Sequence, residues 1–297
     1  MARPRNAARA LPSIALALIA ASCTPPLKPD PHYVLGKPYQ TGTTWHYPRE
    51  AYELNETGLA AIATDTSTRL TTDGEVFDQT ALAAAHPTIQ LPAIARLTNL
   101  ENGRQVTVRL NDRGSGDPRR LIEVTRRTAL LLAMPPGSVA QVRLQVLPNE
   151  SHAAADALPG APSLSMNAAP RDAVEVAELP PPPGVREANG RALPVTVATA
   201  ADTATAAPPL RLPEAVIQTP PQPGRLMVYL DSFDEYQYAA VQRARMGAAG
   251  AQIVATVNGR ATQYRVEIGP LPDVAHADAV LDQALASGIP DAHIVVD

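Results

Sequence analysis

Residues 148–223 set the first limit on what this chain can become. Fifteen of its 31 prolines fall there, including Pro180-Pro181-Pro182-Pro183, and the stretch holds no Phe, Trp or Tyr. Proline fixes φ and removes a backbone donor, so it cannot recur inside helices or central strands. With mostly Ala, Thr and isolated charges between the prolines, little can be buried to offset the entropy of ordering. The composition predicts a disordered, partly polyproline-like Pro/Ala-rich linker over 148–223, with a folded unit on each side. One core spanning all 297 residues is excluded on this reading.

The chain opens with three arginines (Arg3, Arg5, Arg9) and an uncharged run from Ala10 to Ala21. That is a basic n-region and an apolar h-region too short to cross a hydrocarbon core of roughly 30 Å, so residues 1–22 read as a signal peptide. Ala20-Ala21-Ser22-Cys23 resembles a bacterial lipobox, which implies lipidation of Cys23 and a membrane anchor. Cys23 is also the only cysteine, so no intramolecular disulfide can form. Thr24 follows it instead of the Asp that retains lipoproteins in the inner membrane. The resemblance therefore implies an outer-membrane anchor facing the periplasm. A net charge of −4 supplies no basic field, and no nucleic-acid partner is expected.

Residues 23–147 begin with a tether, TPPLKPDP, and continue as short β-type runs. AIARLTNL, RQVTVRL, RLIEVT and SVAQVRLQVL are separated by the turn signals ENG, NDRG and PPG, which suggests a small all-β barrel or sandwich. A helix is expected over Arg126 to Ala133, with no breaker before Pro135. Within LNDRGSGDPRRLIEVT, the alternation Val106, Val108, Leu110 runs into Asp112 at an Asp-Arg-Gly corner, and Glu123 follows eleven residues later. By itself Asp112 is either a turn aspartate, which is common before Gly, or a group that moves a proton.

Residues 224–297 carry an internal duplication. RLMVYLDSF, EYQYAAVQRARMGAAG and QIVATV form one strand-helix-strand unit, and QYRVEIGPL, DVAHADAVLDQALASG and AHIVV form another. Apolar residues recur at helical spacing (Val274, Ala277, Val280, Leu281, Leu285), and each helix ends near a glycine, Gly250 or Gly288. Two such units build a ferredoxin-like four-stranded antiparallel sheet with both helices on one face. Alternation puts Leu226, Val228 and Leu230 on one side of the first strand and Tyr229 on the other. Likewise Tyr264, Val266 and Ile268 alternate with Gln263, Arg265 and Glu267. The open face then presents Tyr229, Gln263 and Arg265, either as ordinary solvated residues or as a shallow ligand surface.

This C-terminal repeat resembles the SPOR (sporulation-related repeat) domain, through Asp231-Ser232-Phe233 and Tyr264-Arg265-Val266-Glu267-Ile268-Gly269-Pro270. The resemblance implies binding to glycan strands stripped of stem peptides at the division septum, with Tyr229, Gln263 and Arg265 as contacts. The front part resembles the double-psi β-barrel of the rare lipoprotein A family, septal lytic transglycosylases. The likeness runs from Tyr33-Val34-Leu35-Gly36-Lys37-Pro38-Tyr39 through Glu56-Thr57-Gly58-Leu59-Ala60. It is densest in TTDGEVFDQTALAAAHPTIQLP and TNLENGRQVTVRLNDRG. Lipobox, barrel, Pro-rich segment and SPOR repeat also follow that family's order. The whole is expected to be mainly β plus α+β.

A lytic transglycosylase breaks the MurNAc–GlcNAc bond without water as nucleophile. One carboxyl group protonates the leaving oxygen and then takes a proton from the muramoyl C6 hydroxyl as the 1,6-anhydro ring closes. The resemblance implies Asp112 as that acid/base, with Glu75 and His86 shaping the site and Arg113 and Glu123 contacting substrate. There are departures from the family pattern. GLAAIATDTSTRL lacks the Ser-Trp-Tyr-Gly aromatics and the His-Gly, Ser115-Gly116 replaces Pro-Phe, and Glu123 replaces Asp. Related expansin barrels use the carboxylate at that last position to loosen polysaccharide without hydrolysis. Two functions stay open: a lyase acting on denuded septal glycan, and a non-catalytic septal lipoprotein with an expansin-like barrel. No cofactor is expected, and no metal, because the six His residues are scattered. Partners in the division machinery are left open.

Overall fold

The computed structural model describes residues 27–162, 211–258 and 261–297. The expected signal peptide, Cys23 and the middle of the Pro/Ala-rich segment lie outside them.

A two-stranded hairpin comes first, β1 (Tyr39–Thr41) with β2 (Thr44–His46). The barrel follows as β3 (Asn55–Ile62), β4 (Ala83–Ala85), β5 (Ala93–Asn99), β6 (Arg104–Asp112), β7 (Ile122–Val124), α1 (Arg126–Leu131) and β8 (Val139–Val146). Its strands neighbour one another in the order β4-β7-β3-β8-β5-β6, and a further β4–β6 pairing closes the ring. The β3–β7 and β4–β6 pairs are parallel and the others antiparallel, giving the mixed six-stranded double-psi barrel. Closure leaves none of the six strands with a wholly free edge. Alternate side chains of β5, β6 and β8 (Leu97, Val106, Val108, Leu110, Val142, Leu144) fill the interior at 0–1% exposure, joined by Ala60, Ile122, Val124 and Leu132. Helix α1 starts where the sequence suggested, because Thr125 caps it by accepting from the Thr128 N–H.

The expected linker over 148–223 is shorter than its composition indicated, for both of its ends are built into the barrel. Pro148–Asp156 forms α2, with Pro at the helix start where its missing N–H costs nothing. Buried Ser151 Oγ accepts from Ile94 N and donates to Ile94 O, which fixes α2 to β5. At the other end β9 (Val216–Gln218) pairs antiparallel with the first residues of β6.

The C-terminal domain runs β10 (Leu226–Phe233), α3 (Tyr236–Arg245), a 3₁₀ turn at Gly247–Ala249, β11 (Gln252–Asn258), β12 (Ala261–Leu271), α4 (Val274–Ala286) and β13 (His293–Val296). Strand order β11-β12-β10-β13, all antiparallel, is the ferredoxin-like arrangement expected. Val228, Leu230, Val266, Ile268 and Ile294 turn toward Ala239, Ala277, Leu281 and Ala284 of the helices. Tyr229, paired with both Glu267 and His293, points to the opposite face, as do Arg265 and Gln263 two and four residues before Glu267 on β12.

Candidate active site

Strand β4 explains how two carboxylates eleven residues apart come to share a cavity. It reads Ala83-Ala84-Ala85 and lies between β6 and β7. Ala85 pairs with Asp112 on one side and with Glu123 on the other. Directly paired residues share a sheet face, and neighbouring strands lie about 4.8 Å apart, so the two acids stand about 10 Å apart at the backbone. On the strand between them stands the small Ala85 side chain. The result is a cavity of about 300 Å³ whose lining includes Asp112, Glu123, Ser115, Arg69, Thr72 and Phe77, with the three alanines as its floor. The corner after Asp112 needs glycine: Gly114 has φ +70°, and a Cβ there would sit 3.1 Å from Glu123 Oε2 and from the Ala85 Cβ.

The two acids are held differently. Asp112 Oδ1 accepts from Thr72 N (3.1 Å), Thr72 Oγ1 (2.8 Å) and Arg113 N (2.9 Å), and Oδ2 accepts from Arg69 Nη2 (2.7 Å). Arg69 also donates through Nε to Asp65 at 2.5 Å, and its guanidinium lies over the Phe77 ring, 4.3 Å from the centroid. Hydrogen bonds from Ser67 and then Arg69 hold the Asp65 carboxyl below the usual range. Glu123 uses only Oε1, which accepts from Ser115 N (3.1 Å) and Ser115 Oγ. Among the described residues nothing hydrogen-bonds its Oε2.

Glu75 lies next door. It lines an adjoining cavity of about 420 Å³ that shares Phe77, Ala83, Asn111 and Thr125 with the first, so the two form one trough. Its Oε1 accepts from Arg109 Nε (2.8 Å) and its Oε2 from Asn111 Nδ2 (2.8 Å). Beneath it sits Asp73, fully buried. Asp73 Oδ1 accepts from Thr71 Oγ1 (2.7 Å) and Glu75 N (3.3 Å), while Oδ2 makes no hydrogen bond and lies 4.0 Å from Arg109 Nη2. Burial, and next the neighbouring Glu75 carboxylate, push the Asp73 carboxyl up to about 7.

Two expected site residues do not present their functional groups to the trough. His86 is buried and lines neither cavity; its Nδ1 accepts from the Thr88 N–H at 3.2 Å, leaving the proton on Nε2. Burial and the nearby Arg113 charge push its pKa down to about 3, so the ring is neutral and supports the wall instead of carrying charge into the site. The expected three-residue cluster is thus replaced by Asp112 and Glu123 in one cavity and Glu75 in the next. Arg113 borders the cavity, but its guanidinium turns away: Nη2 donates to Leu35 O at 2.8 Å and Nη1 to Ile89 O. It fastens two loops and is not placed to hold substrate. Sequence reasoning missed Arg69, Thr72 and Ser115, whose approach depends on tertiary pairing with no local signature. Among the described residues no group of three or more His, Cys, Asp or Glu converges to hold a metal ion.

The comparisons bear on the same region. The family described as lytic transglycolase matches residues 55–144. The endolytic peptidoglycan transglycosylase RlpA of Escherichia coli K12 is 43% identical over 89 residues, covering 30% of this chain and 25% of the relative. The RlpA of Rickettsia felis is 32% identical over 124 residues, 40% of this chain and 54% of the relative. Over this span the barrel is similar to that of RlpA. The chain matches between a quarter and about half the length of these two relatives. The SPOR domain of RlpA from Pseudomonas aeruginosa aligns over 24% of this chain and 99% of its own length, at 19% identity and a TM-score of 0.23. On the resemblance the missing family aromatics would fall at Ile62 and Ala63, of which Ala63 lines the cavity, and among the described residues Phe77 is the one aromatic lining the trough.

Proposed function

We propose that this chain is a peptidoglycan lytic transglycosylase that cleaves MurNAc–GlcNAc bonds of denuded glycan strands and leaves 1,6-anhydro-muramoyl ends. The supporting observation is the placement of Asp112 and Glu123 on either side of Ala85, over one cavity of an RlpA-like barrel. The trough continues past Phe77, in keeping with a linear polymer. Proton exchange falls to Glu123, whose Oε2 is uncommitted. It protonates the glycosidic oxygen and then accepts the C6 hydroxyl proton as that oxygen attacks C1. Asp112, with four donors on its two oxygens, acts as a fixed group flanking the positive charge that develops on the sugar. This revises the role expected of Asp112. Glu75, tied to Arg109, offers a polar wall to sugar hydroxyls farther along the trough. The C-terminal open face, with Tyr229, Gln263 and Arg265, adds a second glycan contact. The lipobox around Cys23 supports anchoring in the outer membrane, and the SPOR resemblance supports septal enrichment.

The test is incubation of the purified protein with denuded strands and mass spectrometry of the products, beside Glu123→Gln and Asp112→Asn. Anhydro-muramoyl ends from the parent that disappear in Glu123→Gln support the assignment. One observation favours the non-catalytic alternative: the Arg69 guanidinium, 2.7 Å from Asp112 Oδ2, offsets the negative charge that would face a developing cation. If strands bind but no anhydro product forms, that second reading replaces the first.

A further inference from the structure

The chain leaves the barrel after α2 and returns to the same barrel before its last domain begins. Arg127 Nε donates to Glu214 at 2.9 Å, and β9 then lies along β6 with Gln105 opposite Ile217. Thr219 N and Oγ1 both donate to Gly103 O, at 2.9 and 2.8 Å. Gly103 has φ +75°, and a Cβ there would fall 1.9 Å from Thr219 O, so only glycine admits this strap. Gln222 N then donates to Leu100 O (2.8 Å), and Gly224 N to Gln141 Oε1 (3.0 Å).

The domain that follows is docked as well. The Thr57 hydroxyl donates to Val296 O at 2.6 Å and accepts from Val296 N at 3.3 Å, which satisfies the backbone of Val296 on β13, the edge strand of its sheet. Leu59 and Leu100 of the barrel, 0% and 3% exposed, belong to the same apolar cluster as Leu226, Val228 and Ile294. At Gly58 a Cβ would meet Leu121 Cβ at 2.8 Å and Ile294 O at 3.3 Å, so the contact is packed to the backbone. Arg120 forms a fork on Asp278 of α4, with Nη1 at 2.7 Å and Nη2 at 2.8 Å. These two side chains are only 12% and 19% exposed, so solvent screens the pair weakly.

Arg120 and Leu121 end the loop that joins Asp112 to Glu123, and Ser115 in the same loop holds Glu123. We propose that residues 214–297 form an intramolecular clamp. The C-terminal domain is a docked part of the barrel wall that braces the 113–121 loop, not a separate module on a flexible leash. The Pro/Ala-rich segment is then an excursion anchored at both ends, and losing the domain loosens the cavity wall. The docking does not depend on the catalytic reading.

The experiment inserts a site-specific protease sequence between residues 184 and 185 of the full chain. After cleavage, gel filtration with light scattering at physiological salt is expected to find both fragments in one particle. Elution as two separate species overturns the clamp. Hydrogen exchange then reports on the loop. Asp278→Arg is expected to speed exchange of the 113–121 amides about tenfold or more, and adding Arg120→Asp to restore protection. Unchanged exchange in Asp278→Arg overturns the bracing, whether or not the protein cuts glycan.

Discussion

Replacing Asp73 with Asn should make this protein more stable at pH 8 and leave it nearly unchanged at pH 4. The Asn Oδ1 keeps the bonds from Thr71 Oγ1 and Glu75 N, and its amide fills the space of an oxygen that has no hydrogen bond. The sign follows from the raised carboxyl pKa. An unfolded Asp73 ionises near its ordinary value of 3.8, whereas in the fold it holds its proton to about 7. Below about pH 4 both states are protonated and the group adds no pH dependence. Between about 4 and 7 the folded state binds more protons, so stability falls as pH rises, by at most about 1.4 kcal/mol per pH unit. Across that window the ceiling is about 4 kcal/mol, with the attraction of Arg109 already counted in the folded value, and we expect about 2–4 kcal/mol. Urea unfolding followed by far-UV circular dichroism, and by the fluorescence of Trp45, the single tryptophan, in the hairpin that precedes the barrel, measures this at pH 4, 6 and 8. Parallel pH dependences for parent and Asp73→Asn would refute the reasoning.

Three further outcomes are expected. Glu123→Gln should lower anhydro-product formation by about 10²–10⁴-fold with glycan binding retained, measured by product mass spectrometry and strand pull-down. Leu59→Ala empties a site shared by barrel and C-terminal domain, so urea unfolding should show a loss of about 2–5 kcal/mol. At Gly74, with φ +85°, a Cβ would stand 2.0 Å from Asp30 O. Gly74→Ala should therefore displace residues 30–32, with faster proteolysis there and a stability loss of about 1 kcal/mol or more.

The strands were legible because alternation at β5, β6 and β8 reports directly which side chains enter the barrel. The same logic placed Tyr229, Gln263 and Arg265 on one open face. What the sequence hid was long-range order. Nothing local says that Ala83–Ala85 slides between Asp112 and Glu123, which is what makes a pair of two distant acids. His86 and Arg113 looked chemical, yet burial left one neutral and turned the other onto backbone carbonyls. At the ends of the Pro/Ala-rich segment, composition outweighed two short signals: Pro148 at a helix start, and Val216-Ile217, which has meaning only beside the β6 edge.

The departures around Glu123 are better understood as one change than as two. A Glu arm is one methylene longer than the Asp expected there, enough to misplace a catalytic oxygen unless something holds it. Ser115, which stands where the family tends to have Pro, supplies that hold through both its N–H and its hydroxyl, and a proline could not donate the N–H. With Oε1 pinned, Oε2 is left without a hydrogen bond among the described residues. The two positions should therefore be energetically coupled. Ser115→Ala and Glu123→Asp are each expected to reduce product formation, and the double variant to lose clearly less than the product of the two single losses. Losses that simply multiply across this cycle would mean that Ser115 does not position Glu123.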